Sequence, residues 1–300
     1  MSDYIDVVSP AKINLFLDVL GKREDGYHQV ELIMQSLDLK DNINISVNKF
    51  QDEDIKIYSN NQNVPTGEGN LAYRAARLMT EGYYIPPLKI YLEKKIPIEA
   101  GLAGGSSNGA AVLWGLNELF NFNLSLDRLC ELGKELGADV PFCLRGGTML
   151  ATGFGEELTR LPSMPWCYLL LVKPSFGVST AKVYKALNKD SYDPLKYNDL
   201  LMSGKLIKAL EQKSLEKISD NLYNSMEPTV KSWFGQVEDI IQMLTQNGAL
   251  ASLMSGSGPT IYGIFKDKKQ AQIVEKLLKN WGSDIQVFVT TPRYMGVGKE

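Results

Sequence analysis

One stretch of the chain carries more potential chemistry than any other: Pro97-Ile-Glu-Ala-Gly-Leu-Ala-Gly-Gly-Ser-Ser-Asn-Gly-Ala-Ala, set between a strand-like run and a helix-like run. Glycines at 101, 104 and 105 let the backbone turn tightly and approach a ligand closely. Ser106, Ser107 and Asn108 fall at the helix start, where free amides and the helix dipole favour an anion, and a phosphate group is the natural guest. The loop has neither the GK[ST] ending of a Walker loop nor the GxGxxG order. Read alone, it is as readily a flexible turn with a serine cap. A second Gly-rich element, Met254-Ser-Gly-Ser-Gly-Pro-Thr-Ile-Tyr-Gly, lies between two strand-like runs and reads either as a β-turn or as another backbone approach to phosphate or substrate.

Single side chains add candidates, each with a plain alternative. Lys12 is polar between apolar neighbours in an alternating run, the position of a solvated lysine on a strand's open face. Asp139 follows Gly137-Ala138 in an otherwise apolar segment; buried acids are rare unless paired, and a local cap or turn carboxylate is the simpler reading. Asn14, Tyr27 and His28 form a possible substrate wall, although a histidine in such a place is commonly a surface-loop residue. Asn70 suits a helix N-cap and Tyr184 a helix face. Asp52-Glu53-Asp54 reads as a solvated turn. With one histidine and three cysteines lacking a CxxC, multi-histidine metal sites, thiolate zinc sites and a disulfide framework are disfavoured.

These residues need a scaffold. The 300 residues suggest two domains, and 44% hydrophobic with 22% charged residues is ordinary globular composition. A net charge of −3 gives no electrostatic footprint for nucleic acid. The longest apolar run, Trp166–Val172, is far short of the about 20 residues of a membrane span, and the N-terminal MSDYIDVV lacks a secretory pattern, so a cytoplasmic protein is expected. Ile13, Leu15, Leu17 and Val19 alternate as in a half-buried strand, as do Ile43, Ile45 and Val47, and Asp25-Gly26 marks a hairpin. Helices are expected over 70–81, from the Gly-rich loop to about Phe120, from Ser125 to Gly137, and near 180–188, 226–246 and 268–281; strands near 88–93, 166–172, 250–254, 260–265 and 285–290. Both halves are mixed α and β, with a boundary near Leu161 giving domains 1–161 and 162–300.

Ser9-Pro-Ala-Lys-Ile-Asn-Leu-Phe-Leu, Pro97–Ser107 and Ser255-Gly-Ser-Gly-Pro-Thr together resemble the three signature motifs of the GHMP small-molecule kinase superfamily. The likeness sharpens at PAKINLFLDVLGKREDGYH, GLAGGSSNGAA and GADVPFCLRGGTMLATGFGEEL, toward members that phosphorylate the 2-hydroxyl of 4-diphosphocytidyl-2-C-methyl-D-erythritol in the non-mevalonate isoprenoid route. The resemblance implies a mixed α/β, α+β fold: an N-terminal domain like ribosomal protein S5 domain 2, a ferredoxin-like C-terminal domain, and a site in the cleft between them. It implies an ATP phosphate loop at Pro97, Ile98, Glu99, Ala100, Gly101, Leu102, Ala103, Gly104, Gly105, Ser106 and Ser107. Relatives often carry glycine where Glu99, Ala100 and Ala103 stand, so the Glu99 side chain is expected to point away from the phosphates. Asn70 and Lys94 match positions lining the nucleotide site. Asp139 matches the catalytic base and Lys12 the lysine whose charge stabilises that aspartate and the transferring phosphoryl group. Tyr27, His28 and Asn14 match the acceptor side, with Tyr184 as an opposite aromatic wall for cytosine. Mg²⁺ is expected to arrive with ATP, without a dedicated cage. Rival readings are a homoserine or mevalonate type of kinase, a ligand sensor without catalysis, and an RNA-binding module, which the charge disfavours.

Overall fold

In the computed structural model the described residues are 3–48, 54–187, 189–193, 202–281 and 285–300, so Asp52 and Glu53 of the acidic turn lie outside them. The first sheet grows from one long hairpin, β1 (Tyr4–Lys22) and β2 (His28–Val47), antiparallel over nearly their whole length. The turn between them closes with Arg23 N–H donating to Tyr27 O at 2.8 Å and with Gly26 at φ +88°, a conformation suited to glycine. β3 (Ile55–Ser59) and β4 (Leu88–Glu93) extend the sheet beyond β2, and β8 (Tyr223–Asn224) pairs with β1. β5 (Thr148–Thr152) pairs with β2 and β6 (Glu157–Arg160) with β5. Helices α1 (Leu71–Gly82), α2 (Gly104–Leu119), α3 (Leu126–Leu136) and α4 (Asp139–Arg145) belong to this half. The second sheet has the order β11-β7-β10-β9, from β7 (Tyr168–Lys173), β9 (Ser252–Met254), β10 (Ile261–Phe265) and β11 (Gln286–Thr290). With it come α5 (Thr180–Leu187), α6 (Gly204–Glu211), α7 (Leu215–Ser219), α8 (Glu227–Trp233), α9 (Gln236–Gln246) and α10 (Lys268–Trp281).

β1 is buried on both faces, where alternation alone predicts one. Two of its three register shifts against β2 fall here: between Pro10 and Lys12, where Leu37 to Leu39 of β2 stand opposite Ala11 alone, and between Asn14 and Phe16, where β1 carries one extra residue. An extra residue in a strand moves every following side chain to the other face. Ile5 and Val7, and again Leu17 and Val19, therefore pack in the core shared with Ala110 and Leu113 of α2. Between the bulges, Ala11, Ile13 and Leu15 turn instead into a second core with Leu169, Leu171 and Tyr262 of the other sheet. Lys12 and Asn14 alternate with that apolar set, so the bulged segment aims two polar side chains away from it.

One expectation about helices needs correction. The segment 226–246 is two helices, not one: Phe234 leaves the helical region (φ −135°, ψ 92°) and its ring stacks on Phe176 at 4.1 Å, with Gly235 following. Asp139, just past the end of α3, opens α4, where Pro141 falls in the first turn and costs no intrahelical hydrogen bond.

Candidate active site

The Gly-rich loop encloses a cavity of about 340 Å³ walled by Pro97 through Ser106, by Asn70, Lys94 and Asn108, and by the apolar Val64, Pro65 and Leu71. Helix α2 begins with Ala103 in the left-handed region (φ 55°, ψ 28°), and no side chain caps it. The Ser107 N–H bonds to Ala103 O at 2.9 Å. The preceding amides, of Gly104, Gly105 and Ser106, are the ones a helix leaves without internal partners. A Cβ added at Gly105 would meet nothing within 4 Å, so open space lies over this first turn. At Gly101 the same addition would come 2.4 Å from Ser255 O, and φ is +71°: two backbones meet there.

Glu99, like Ala103, has a positive φ (51°), which explains why glycine suits these positions. Its carboxylate leaves the loop sideways: a Cβ on Gly177 would lie 3.0 Å from Glu99 Oε2. Ser107 departs from the expected phosphate loop. It is fully buried, its hydroxyl accepts from Ser9 Oγ at 2.9 Å, and it is off the cavity wall, because the helical twist turns it inward. Asn70 lines the cavity and also caps α1, accepting from Ala72 N–H at 2.9 Å. The Lys94 ammonium is buried against Asp41 and Asn108.

A second cavity, of about 840 Å³, is lined by Tyr27, His28, Phe154 and Tyr184, by Lys22, Lys185 and Lys189, and by Gly137 and Ala138. Tyr27 stacks on Phe154 (centroids 5.0 Å, 29°), and the His28 ring rests on Tyr184 (4.7 Å, 31°). Burial pushes the Tyr184 phenol up to about 12, with the nearby Asp139 charge adding to the effect. Burial, then the Lys22 charge, pull His28 below its ordinary value. Phe154 was missed in the sequence, yet a signal exists: it sits between Gly153 (φ 71°) and Gly155 (φ 116°), a turn that presents its ring. Asn14 does not join Tyr27 and His28. His28 pairs with Lys22 at the hairpin's tip, while Asn14 pairs with Met34. Six residues of β2, from Met34 to His28, at about 3.3 Å each separate these points by roughly 20 Å.

Lys12 and Asp139 line neither cavity but adjoin them, Lys12 through its backbone bond to the Gly-rich loop and Asp139 through Gly137-Ala138. Lys12 is 5% exposed, not solvated; its Nζ donates to Asn14 Oδ1 at 2.6 Å and its backbone N–H to Leu102 O of the Gly-rich loop at 3.0 Å. Ser255 Oγ, from the second Gly-rich turn, donates to Gly101 O at 3.1 Å and accepts from Asn14 N–H at 3.4 Å. That turn is held by Asn224 of β8, whose side chain donates to Met254 O (2.7 Å) and Gly256 O (2.8 Å). Asp139 is half-buried and follows directly on Gly137-Ala138 of the aromatic cavity. The Cys143 thiol one turn further along α4 is pushed far up by burial and by the Asp139 charge, with the Lys12 charge opposing, so both charges reach one buried atom. All three cysteines are free and buried. Among the described residues no cluster of three or more His, Cys, Asp or Glu side chains suits a metal ion, and no helix is long and apolar enough to cross a membrane.

Comparison with known proteins bears on this arrangement directly. The family model of the GHMP kinases N terminal domain matches residues 70–147, which hold the first Gly-rich loop and Asp139, and that of the GHMP kinases C terminal domain matches 206–284, which hold the second Gly-rich turn. A 4-diphosphocytidyl-2-C-methyl-D-erythritol kinase of Acetivibrio thermocellus is 46% identical over 95% of this chain and 98% of its own, and one of Bacillus subtilis is 43% identical over 91% and 92%. A crystal structure of 4-(cytidine 5'-diphospho)-2C-methyl-D-erythritol kinase superposes with a TM-score of 0.78 at 30% identity, covering 99% of this chain and 100% of that one. A homoserine kinase of Cytophaga hutchinsonii gives the same TM-score at 21% identity, which speaks for the fold alone. Two Gly-rich turns facing across a bulged strand, an aromatic cavity beside Asp139, and full-length relatives of one kind agree: the chain belongs to the 4-diphosphocytidyl-2-C-methyl-D-erythritol kinases of the GHMP kinase family.

Proposed function

We propose that this ATP-dependent kinase transfers the γ-phosphoryl group of ATP to the 2-hydroxyl of 4-diphosphocytidyl-2-C-methyl-D-erythritol, with Lys12 and Asp139 at the point of transfer. The observation that carries the reading is the direct hydrogen bond from the Lys12 backbone to Leu102 of the phosphate loop, on a strand whose next turn of sequence leads to the aromatic cavity. The loop's Gly104–Ser106 amides would hold the triphosphate, and Asn70 and the apolar Val64, Pro65 and Leu71 would flank the rest of the nucleotide. Tyr27, His28, Phe154 and Tyr184 would hold the cytidine end, and the neighbouring lysines suit its diphosphate.

Phosphoryl transfer has a loose transition state, so positioning and charge stabilisation supply the catalysis. Asp139 accepts the hydroxyl proton and orients the attacking oxygen. Lys12 spreads its charge over the aspartate and the transferring group, with Asn14 fixing the ammonium at 2.6 Å. Mg²⁺ bound to the triphosphate would neutralise charge on the β- and γ-oxygens. A cradle of backbone amides suits anions, so the fit is an ion held by phosphate oxygens and water. The chain is further proposed to divide after Leu161: β6 ends the first sheet's last hairpin at Arg160, and β7 opens the second sheet at Tyr168.

An ADP-release assay tests the acceptor. The diphosphocytidyl compound should turn over, while homoserine, mevalonate and galactose should not. Equal activity on 2-C-methyl-D-erythritol 4-phosphate, which lacks the cytidine, would overturn the substrate assignment.

A further inference from the structure

Asp41, on β2, has no part in the chemistry above, yet its side chain is fully buried beside the site proposed for a polyanion. An unpaired buried carboxylate there would be costly in itself and would repel phosphate. It is saturated with donors. Oδ1 accepts from the Lys95 and Ile96 amides at 2.7 and 2.8 Å, and Oδ2 accepts from Asn108 Nδ2 at 2.8 Å and from the Lys94 ammonium. Lys94 Nζ also donates to Asn108 Oδ1 at 2.9 Å, and Asn108 Nδ2 reaches Ser9 Oγ at 2.8 Å. The network joins β1, β2, the turn after β4 and the second turn of α2. It passes directly under the cradle: a Cβ on Gly104 would lie 3.3 Å from Lys94 Nζ.

We propose that Asp41 is a positioning residue of the donor site: it locks the turn after β4 and the start of α2 so that the Gly104–Ser106 amides keep one orientation, and Lys94 serves ATP by neutralising Asp41. Lys94 acts as the counter-ion of a structural carboxylate, and Asn108 divides its amide between the two. This rests on the reading that the loop cavity is the ATP site. Gly105→Ala tests that reading separately, because its Cβ meets only the open space a phosphate would fill.

The test is calorimetric affinity for adenosine 5'-(β,γ-imido)triphosphate, with the KM of the acceptor measured at saturating ATP. Asp41→Asn should weaken nucleotide binding by about tenfold, in the range of coupled contacting groups, and leave the acceptor KM within about twofold. If Lys94 were instead a direct phosphate ligand, freeing it from Asp41 would leave binding unchanged or tighten it, and either result would overturn the proposal. The double variant Asp41→Asn/Lys94→Met keeps the inference testable if the single one unfolds. It buries no charge, and the new amide can still accept from Lys95 and Ile96. It should bind the analogue within about fivefold of wild type, whereas a larger loss would assign Lys94 to the phosphates and sink the idea.

Discussion

The donor cavity and the aromatic cavity use different parts of the chain. The first presents main-chain amides at the start of α2, on a loop whose conformation depends on what lies behind it. The second presents rings from the hairpin tip, from the Gly153–Gly155 turn and from α5. A main-chain site tolerates changes of side chain until a Cβ intrudes or the loop's support is lost. A side-chain site loses a definite contact with each ring removed. In the proposed reading, generic recognition of phosphate and particular recognition of a base are thus separated, with Lys12 adjoining the first cavity and Asp139 the second.

The largest expected effect breaks the chemistry while sparing both cavities. Asp139→Asn keeps size and some hydrogen bonding but removes the proton acceptor, so kcat should fall by roughly 10²–10⁴ with ATP and acceptor still bound. Single-turnover transfer with both ligands saturating measures this, and a rate within about threefold of wild type would end the role of Asp139 as base. Lys12→Met should also slow the step, and the double variant should be little worse than the poorer single one if the two act as a unit.

Next in size is the side-chain cavity. Tyr27→Ala should lower kcat/KM for the acceptor by about 5- to 150-fold, the scale of base–aromatic stacking, with ATP affinity unchanged. Phe154 sharpens the comparison. It stacks on Tyr27, so the loss from removing both rings should be less than the product of the single losses. A full product would mean that the two rings hold the ligand independently.

The donor cavity was the more legible in sequence, because glycine spacing and a helix start are local signals. Glycine where Gly101 meets Ser255 and the polar start of α2 could both be read from neighbours in the chain. Features that depend on distant partners could not. Asp41 looks like any strand acid, since its partners stand 53 to 67 residues away. The bulges in β1 left the alternation of Ile13, Leu15, Leu17 and Val19 intact while sending the first two and the last two into different cores. Sequence proximity groups Asn14 with Tyr27 because it conceals the length of a hairpin. Ser107 was carried along with its motif, although the helical twist removes it from the cavity.

A smaller effect tests whether the donor site really is main chain. Gly105→Ala adds one methyl group over the first turn of α2, where nothing in the protein lies within 4 Å. Alanine is the better helix former, by about 1 kcal/mol in a helix interior, so thermal stability should hold or rise. ATP affinity should nonetheless fall about tenfold, the worth of one hydrogen bond to a charged group. Calorimetry with unchanged affinity would move the phosphates elsewhere.

The smallest effect comes from the aromatic cavity and is the cleanest to observe, because His28 is the chain's one histidine. Burial, then the Lys22 charge, hold its pKa below the ordinary 6.5, so the neutral ring predominates at pH 7 and still at 6.5. An unfolded chain would take up that proton near 6.5. Between there and the lower folded value the unfolded state binds more protons, so His28's contribution to stability is complete above that window and is lost as the pH falls through it. The acceptor KM should accordingly rise as the pH falls, with its midpoint below 6.5, and His28→Gln should change it by about two- to fivefold at pH 7, the scale of one neutral hydrogen bond. Proton NMR of the single imidazole reads the midpoint directly. A midpoint above 6.5 would mean that a negative charge outweighs both burial and Lys22 at this wall of the cavity, and the lysine-lined path proposed for the acceptor's diphosphate would have to be redrawn.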